Sequence, residues 1–413
     1  MNRLKFVTVL GSAMTLAALT VGGAVSAAEA KPPPISGFLL HPLKDAQEAI
    51  KAMDYTKAVA KLKQAQAAHG KKTPYDNFVI DVLFMQSYNA TKDRADEAPI
   101  LLDAASSPYA SAEQAQSWRR VAVGIYFQQK NYPKTVEVGE QAIAHGAGQD
   151  VYATVALAQQ NLGKYKDAAE TIGKIINKQT KPAENLLVFQ WNAYMKIKDT
   201  PDAEKVIDKL VTYYPKPDYW LNAMNSLLHL DITDAHVQLE VYRLMDDVGV
   251  LKQPHDFAQM AELSFDQGYP GETVAVLQEA FQKKVFTNPR DVLRYQHLLM
   301  SAMQKAAQDQ AQLTAEAQKA QSAANGDQLV AVGQAYLSYN QPDKAVALIQ
   351  MGIAKGGLKY PEEADLLLGV AQLRSHNTAA AHRTFDKVAA SGKQGYAQLG
   401  KLWVLRSQSH AAA

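Results

Sequence analysis

Asp231, Asp234 and His236 set two carboxylates and an imidazole in one short turn, the acid/histidine cluster of the chain most worth weighing. Such a set is raw material for a metal site or for general acid–base chemistry. Its place in the chain argues for a different role, because in a turn that follows an apolar helix an Asp caps the helix after it. The remaining histidines are scattered. The closest pairs among the ten are His229 with His236 and His376 with His382. Neither has the i, i+4 spacing that puts two ligands on one helix face. Gly70-Lys71-Lys72-Thr73 lacks the upstream glycine of a phosphate-cradling loop. No Gly-x-Gly-x-x-Gly, Gly-x-Ser-x-Gly or His-Glu-x-x-His pattern occurs. The chain has no cysteine, which removes disulfides, thiolate ligands and a Cys nucleophile together. Trp191, Tyr194, Trp220 and Trp403 recur at helical spacing with other apolar residues and read as packing, not as a carbohydrate platform. These features predict no catalytic site, no metal and no cofactor.

What positions such residues is a repeated pair of helices. In the stretch 150–182, Val151, Val155, Ala158 and Leu162 fall on one face of a first helix, and Ala168, Ile172, Ile175 and Ile176 on one face of a second. Gly163 stands between them, where a helix needs a left-handed residue to stop. Ala168 has almost no side chain, so the second helix can lie close against the first. A small residue opens each comparable second helix at Ala58, Thr135, Ala168, Ala203, Thr273, Ala345 and Ala381. From Thr135 onward the successive spacings are 33, 35, 70, 72 and 36 residues, a period near 34–36 with two less regular units inside it. A hairpin of this size has too little core to stand alone and is stabilised by stacking on its neighbours.

The period and pattern resemble the tetratricopeptide repeat (TPR) family. Residues 116–149 supply Val123, Tyr126, Tyr132, Thr135 and Ala142; the unit from Asp150 supplies Ala156, Gly163, Tyr165, Ala168 and Ile172. The unit from Glu184 supplies Trp191, Tyr194, Ala203, Ile207 and Pro215. Residues 326–359 supply Gly333, Tyr336, Ala345 and Ile349, and residues 362–393 supply Gly369, Ala381 and Phe385. Thr135, Thr273 and Gly139 depart from the usual residue types. The resemblance implies an all-α, right-handed superhelical solenoid of about ten helix hairpins over residues 41–395. A capping helix is expected over 396–408 and a frayed tail over 409–413. Residues 291–324 begin as an ordinary unit, but 304–324 are rich in Ala and Gln, with Leu313 the one large apolar residue. They predict a poorly buried second helix, with a hinge as the alternative. In TPR proteins the ninth position of each first helix faces the concave side, which here gives Gly124, Leu157, Asn192, Asn225 and Glu262. An Asn ladder at such positions can bond the backbone of an extended peptide.

Residues 1–27 have the pattern of a secretory leader: Arg3 and Lys5, an uncharged apolar run from Phe6 to Val25, and a small-residue site at Val25-Ser26-Ala27, with Ala28-Glu29-Ala30 as a second site. Residues 28–40, with Pro32, Pro33 and Pro34, predict an extended spacer. Removing Arg3 and Lys5 leaves acidic and basic residues equal in number, without the basic stripe that nucleic-acid binding requires. The expectation is a periplasmic, non-catalytic scaffold for a protein or extended peptide partner, without cofactors. Residues 217–287, including YRLMDDVGVLKQPHDFAQMAELSFDQGYPGETVAVLQEAF, resemble TPR proteins that accompany TonB–ExbB–ExbD systems. The alternatives are a scaffold for envelope or exopolysaccharide assembly and a peptidoglycan-processing enzyme on a helical superstructure.

Overall fold

The computed structural model describes residues 32–91, 94–229 and 234–411. The leader over 1–27 with its cleavage sites, the turn residues Asp231, Ile232 and Thr233, and the last two alanines lie outside the described residues.

Seven turns share one geometry. Met53, Lys130, Gly163, Lys198, Gly268, Asn340 and His376 take left-handed φ values of 55–83°. In each case the next backbone N–H reaches back to close the preceding helix: Asp54 to Ala49 O, Asn131 to Tyr126 O, Lys164 to Gln159 O, and likewise at 199, 269, 341 and 377, at 2.8–3.0 Å. This is the six-to-one bond of a Schellman cap. The residue that donates it is also the N-cap of the following helix. Where it is Asp54, Asn131, Asp199 or Asn377, its side chain accepts from the backbone N–H three residues on. Four residues beyond each N-cap lies the small residue read from the sequence. Ala58, Thr135, Ala168, Thr273, Ala345 and Ala381 have no exposed surface and Ala203 is 3% exposed. The turn therefore delivers the small side chain into the helix–helix contact. In Gly333 and Gly369 the first helix contributes the matching absence: a Cβ there would collide with Ile349 and Phe385 of the next helix.

The chain divides into two compact units, residues up to Thr154 and Val155–Ala413. The first contains α1 (Gly37–Lys51) and α2 (Tyr55–Ala67), α3 (Pro74–Thr91) and α4 (Arg94–Ser106), and α5 (Ala112–Gln128) and α6 (Tyr132–Ala144); the division falls within α7 (Gln149–Asn161). Residues 32–36 are not helical, and Ser36 is fixed by its N–H and hydroxyl donating to buried Asp76, at 3.0 and 2.6 Å. The second unit continues with α8 (Tyr165–Ile176), α9 (Glu184–Lys196), α10 (Thr200–Tyr213), α11 (Pro217–His229), α12 (Ala235–Asp247), α13 (Pro254–Asp266) and α14 (Pro270–Gln282). It ends with α15 (Pro289–Gln321), α16 (Asp327–Ser338), α17 (Pro342–Lys355), α18 (Pro361–Arg374), α19 (Thr378–Ala389) and α20 (Gln394–Ala411). The described residues form helices and turns and contain no strand. Against a helix expected over 396–408 and a frayed tail over 409–413, α20 runs from Gln394 through Ala411.

Two expectations are corrected: the extended segment expected over 28–40 gives way at Gly37 to α1, and the pair expected over 291–324 does not form. Residues 291–324 are not a helix pair: α15 is a single helix of 33 residues. No Gly or Pro interrupts the stretch between Pro289 and Gly326, and its Ala, Gln, Lys and Glu are strong helix formers. Asn288 starts it by accepting from the Arg290 N–H at 3.0 Å. Only Tyr295, Ala302, Leu313 and Ala320 are buried, one thin stripe along a rod of about 50 Å. A single helix in place of a pair shifts the alternation by one. Before α15 the small-residue anchors lie on even-numbered helices, α2, α6, α8, α10 and α14; after it they lie on α17 and α19.

Candidate functional site

The shift decides which helices of the second unit share a face. Helices one apart in the alternation approach each other along α14–α16–α18–α20, and α20 then meets α12 and α10. The enclosed face of Val155–Ala413 is therefore built from second helices before α15, first helices after it, and the last helix. Arg406 on α20 donates through Nε to Asp247 Oδ2 at 2.6 Å, and Gln398 donates to Glu204 at 2.9 Å. The imidazole of His236 bonds Glu363 at 3.0 Å and stacks on Tyr360 with ring centroids 4.1 Å apart. Asp234 does cap α12, accepting from the His236 N–H at 2.9 Å. No group of three His, Asp or Glu side chains able to hold a metal occurs among the described residues.

At the centre of this face lies a charged network. Arg243 donates to both carboxylate oxygens of Glu272, at 2.7 and 2.6 Å, and to Glu240. Its guanidinium lies 5.1 Å from the centroid of the Tyr269 ring. Glu240 is wholly buried. Burial pushes its carboxyl up to about 7, against the pull of Arg243. Asp246, one turn beyond Arg243, is pushed up to about 6 by burial and by Glu279, with Arg374 opposing. A cavity of about 140 Å³ opens between them, lined by α12, α14, α16, α18 and α20 and by Met260 of α13. A second, of about 230 Å³, lies between α10, α11 and α20 beside Asp208, whose carboxyl burial raises to about 6.

None of these residues was singled out as a site from the sequence. The available signal was in α18, where the apolar run from Leu366 to Ala371 covers more than one face and marks a helix buried nearly all round. In α12, Glu240 and Arg243 are charges set among Val, Leu and Met, and only their burial reveals the pairing. Tyr242, Arg243, Leu244 and Met245, within residues 217–287, are core residues.

The residues expected to face a groove lie elsewhere. Leu157 on α7, Asn192 on α9, Asn225 on α11 and Glu262 on α13 line neither cavity. Asn192 is exposed, and Asn185 and Met195 are exposed on the same face of α9. Leu157 is half-buried. Asn225 is half-buried and already engaged within the fold. Glu262 is tied to α15, accepting from the Tyr295 hydroxyl at 2.9 Å and pairing with Arg294 at 2.7 Å. Gly124 is half-buried on α5 of the first unit. Tyr194, Trp220 and Trp403 are buried and Trp191 is half-buried.

No protein-family model matches the sequence, and no curated protein matches it. Among solved structures, a tetratricopeptide repeat protein from Parabacteroides merdae is similar at 11% identity, over 89% of this chain and 99% of that one, with a TM-score of 0.23. The TPR2AB domain of yeast Sti1, in complex with pHSP90, is similar at 14% identity over 72% of this chain and 99% of that one, with a TM-score of 0.24. The class therefore rests on the molecule itself. It is an all-α array of TPR-like helix hairpins, interrupted by one long helix.

Proposed function

We propose that the protein is an exported, non-catalytic scaffold that holds an extended segment of a protein partner against the first-helix face of its second unit. The observation that supports this is the division of faces. The second-helix face is occupied by the protein's own α20, whereas α9 presents Asn185, Asn192 and Met195 to solvent. Exposed carboxamides can donate to a peptide carbonyl and accept from its N–H, which reads backbone geometry and suits many sequences. Export is supported by the leader pattern of residues 1–27, and no helix among the described residues is long and apolar enough to cross a membrane. The finer reading is a periplasmic adaptor in a TonB–ExbB–ExbD energy-transduction system, supported by the pattern of residues 217–287.

The test is capture of the protein from periplasm, starting at Ala28 or Lys31, followed by calorimetric titration of the captured partner. Each lost hydrogen bond costs ~0.5–1.5 kcal/mol. Asn185→Ala with Asn192→Ala should then weaken the partner by roughly tenfold, at ~1.4 kcal/mol per decade, with thermal stability unchanged. Equal affinity for wild type and double mutant would remove the first-helix face from the proposal, and recovery with Met1 intact in the membrane fraction would remove the cleaved leader in favour of an uncleaved anchor.

A further inference from the structure

The long helix α15 is held to the array along one side. Tyr295, Ala302, Leu313 and Ala320 are its buried residues, and α14 and α16 pack against it. Lys305 lies over the Phe265 ring, 4.1 Å from its centroid, and Asp309 accepts from the Tyr339 hydroxyl at 2.6 Å, so both charges turn toward the protein's own helices. Arg294 is taken up by Glu262 at 2.7 Å. The side turned away from the array is unlike an ordinary solvated face, which carries charge. Leu293, His297, Met300, Gln304, Ala307 and Ala311 follow one another at alternating spacings of four and three residues, and Thr314 continues the row. All are exposed, and none is Asp, Glu, Lys or Arg. Leu293 is 57% exposed, Met300 60%, and Met303, at the edge of the row, 50%. Single exposed apolar side chains are normal, but three gathered on one charge-free row mark an interaction surface. Spacings of four and three in alternation are those of the seam between two supercoiled helices.

The row is graded along its length. Large side chains, Leu293, His297 and Met300, fill its N-terminal half, and Ala307 and Ala311 follow in its C-terminal half. A helix that fits it must be uncharged on the facing side and graded the opposite way. A second α15 running antiparallel is such a helix. Turning one copy about a two-fold axis level with Ala302 sets Leu293 on Ala311 of the second copy, His297 on Ala307 and Met300 on Gln304, and brings the two Met303 side chains together beside the axis. The geometry points to a weak, reversible homodimer in which two copies of this chain pair antiparallel through α15. The paired stretch of about 25 residues is ~37 Å long, and a strip one helix wide covers roughly 400 Å² of each chain. About 800 Å² in all falls short of the ~1,200–2,000 Å² of stable complexes, which places the dimer among the weak, transient ones. Both helices are already folded on their own arrays, so association carries no cost of helix nucleation. The dimer does not depend on the scaffold reading.

The test is sedimentation equilibrium of the full mature chain from ~1 μM to ~1 mM. The expected mass rises from monomer toward dimer and no further, because a two-fold contact closes on itself. Leu293→Glu with Met300→Glu should raise the dissociation constant about tenfold or more, since each glutamate must be buried against an uncharged partner. Thermal melts should not move, because both side chains are already exposed. Glu316→Gln, off the row, should leave the dissociation constant unchanged. Orientation is read by cross-linking, which the absence of native cysteine makes clean. Ser301→Cys lies next to the axis and should be joined to its own counterpart by a short bismaleimide. Thr314→Cys, which antiparallel pairing holds roughly 35 Å from its counterpart, should not be joined. A chain that stays monomeric at ~1 mM or associates beyond a dimer would overturn the assignment. So would a dimer undiminished in the folded double-glutamate variant, or cross-linking of Thr314→Cys as readily as of Ser301→Cys. The cross-linking pair decides without the glutamate variant, so the assignment stays open to refutation even if that variant fails to fold.

Discussion

The seven hairpin turns and the enclosed face of Val155–Ala413 hold the molecule by opposite means. Each turn is local. A left-handed residue, a back-reaching N–H, an N-cap and a small buried residue all fall within a few positions of one another, and the same device recurs with different side chains. The enclosed face repeats nothing. His236 meets Glu363, Arg406 meets Asp247 and Gln398 meets Glu204 across separations of 127, 159 and 194 residues. Losing one turn weakens one hairpin and its neighbours, as in any array whose units contact only those beside them. Losing the network at Arg243 leaves charge buried between α12 and α14, in the wall of that face.

The comparison breaks most sharply at Arg243. Arg243→Ala strands Glu240, which is fully buried, and Glu272, whose side chain is 12% exposed, with no cation between them. Removing one partner of a buried ion pair costs ~3–5 kcal/mol, far more than the pair itself contributes over an apolar replacement. Denaturant titration should show that loss, with most of it recovered when Glu240→Gln and Glu272→Gln are added. A loss below ~1 kcal/mol, the range of an exposed ion pair, would mean that water reaches the network and the face is open.

Ala168→Leu tests the other side. Ala168 has no exposed surface, and Leu brings an isobutyl group into the contact between α7 and α8. The expected cost is ~1–3 kcal/mol, as for other overpacked cores, read from the midpoint of a urea titration. An unchanged midpoint would show that the small anchors are not close-packed.

Local devices are what a sequence can display. The anchors from Ala58 to Ala381 stand out because one small side chain at one spacing is forced by one contact. Gly163 stands out because glycine takes left-handed φ without cost. Met53, Lys130, Lys198, Asn340 and His376 do the same work with a Cβ in place, so their residue types give no sign of it. The spacing of 72 between Thr273 and Ala345 hides α15, since it fits two regular hairpins as well as one hairpin and a single long helix. That ambiguity carries the whole consequence for faces. With the alternation shifted at α15, Glu240 and Arg243 on a second helix come to share a face with Gln334 on a first helix, and no pattern within any one unit records it. The exposed amide at Asn192 was legible because it needs only the periodicity of α9 itself, whereas Asn185 on the same face was not singled out.

The smallest effect sharpens the account of the turns. Lys198 holds a φ of 57° between α9 and α10 while its N–H and that of Asp199 close α9 on Met195 O and Tyr194 O, at 3.2 and 3.0 Å. An L-residue in this conformation bears a steric cost of roughly 1–2 kcal/mol that glycine does not. Glycine in turn loses more backbone entropy on folding, which offsets part of the gain. Lys198→Gly should therefore stabilise the protein by ~0.5–1 kcal/mol, while Gly163→Lys, the reciprocal change at the equivalent position, should cost a similar amount. The side chain of Lys198 is exposed, so little packing is lost in the first case, and a Cβ at Gly163 meets no atom within 4 Å in the second. Thermal melts of the two variants measure a difference that is conformational alone. Shifts of the same sign in both would show that the equivalence of the seven turns, on which the register of those seven hairpins rests, does not extend from Gly163 to Lys198.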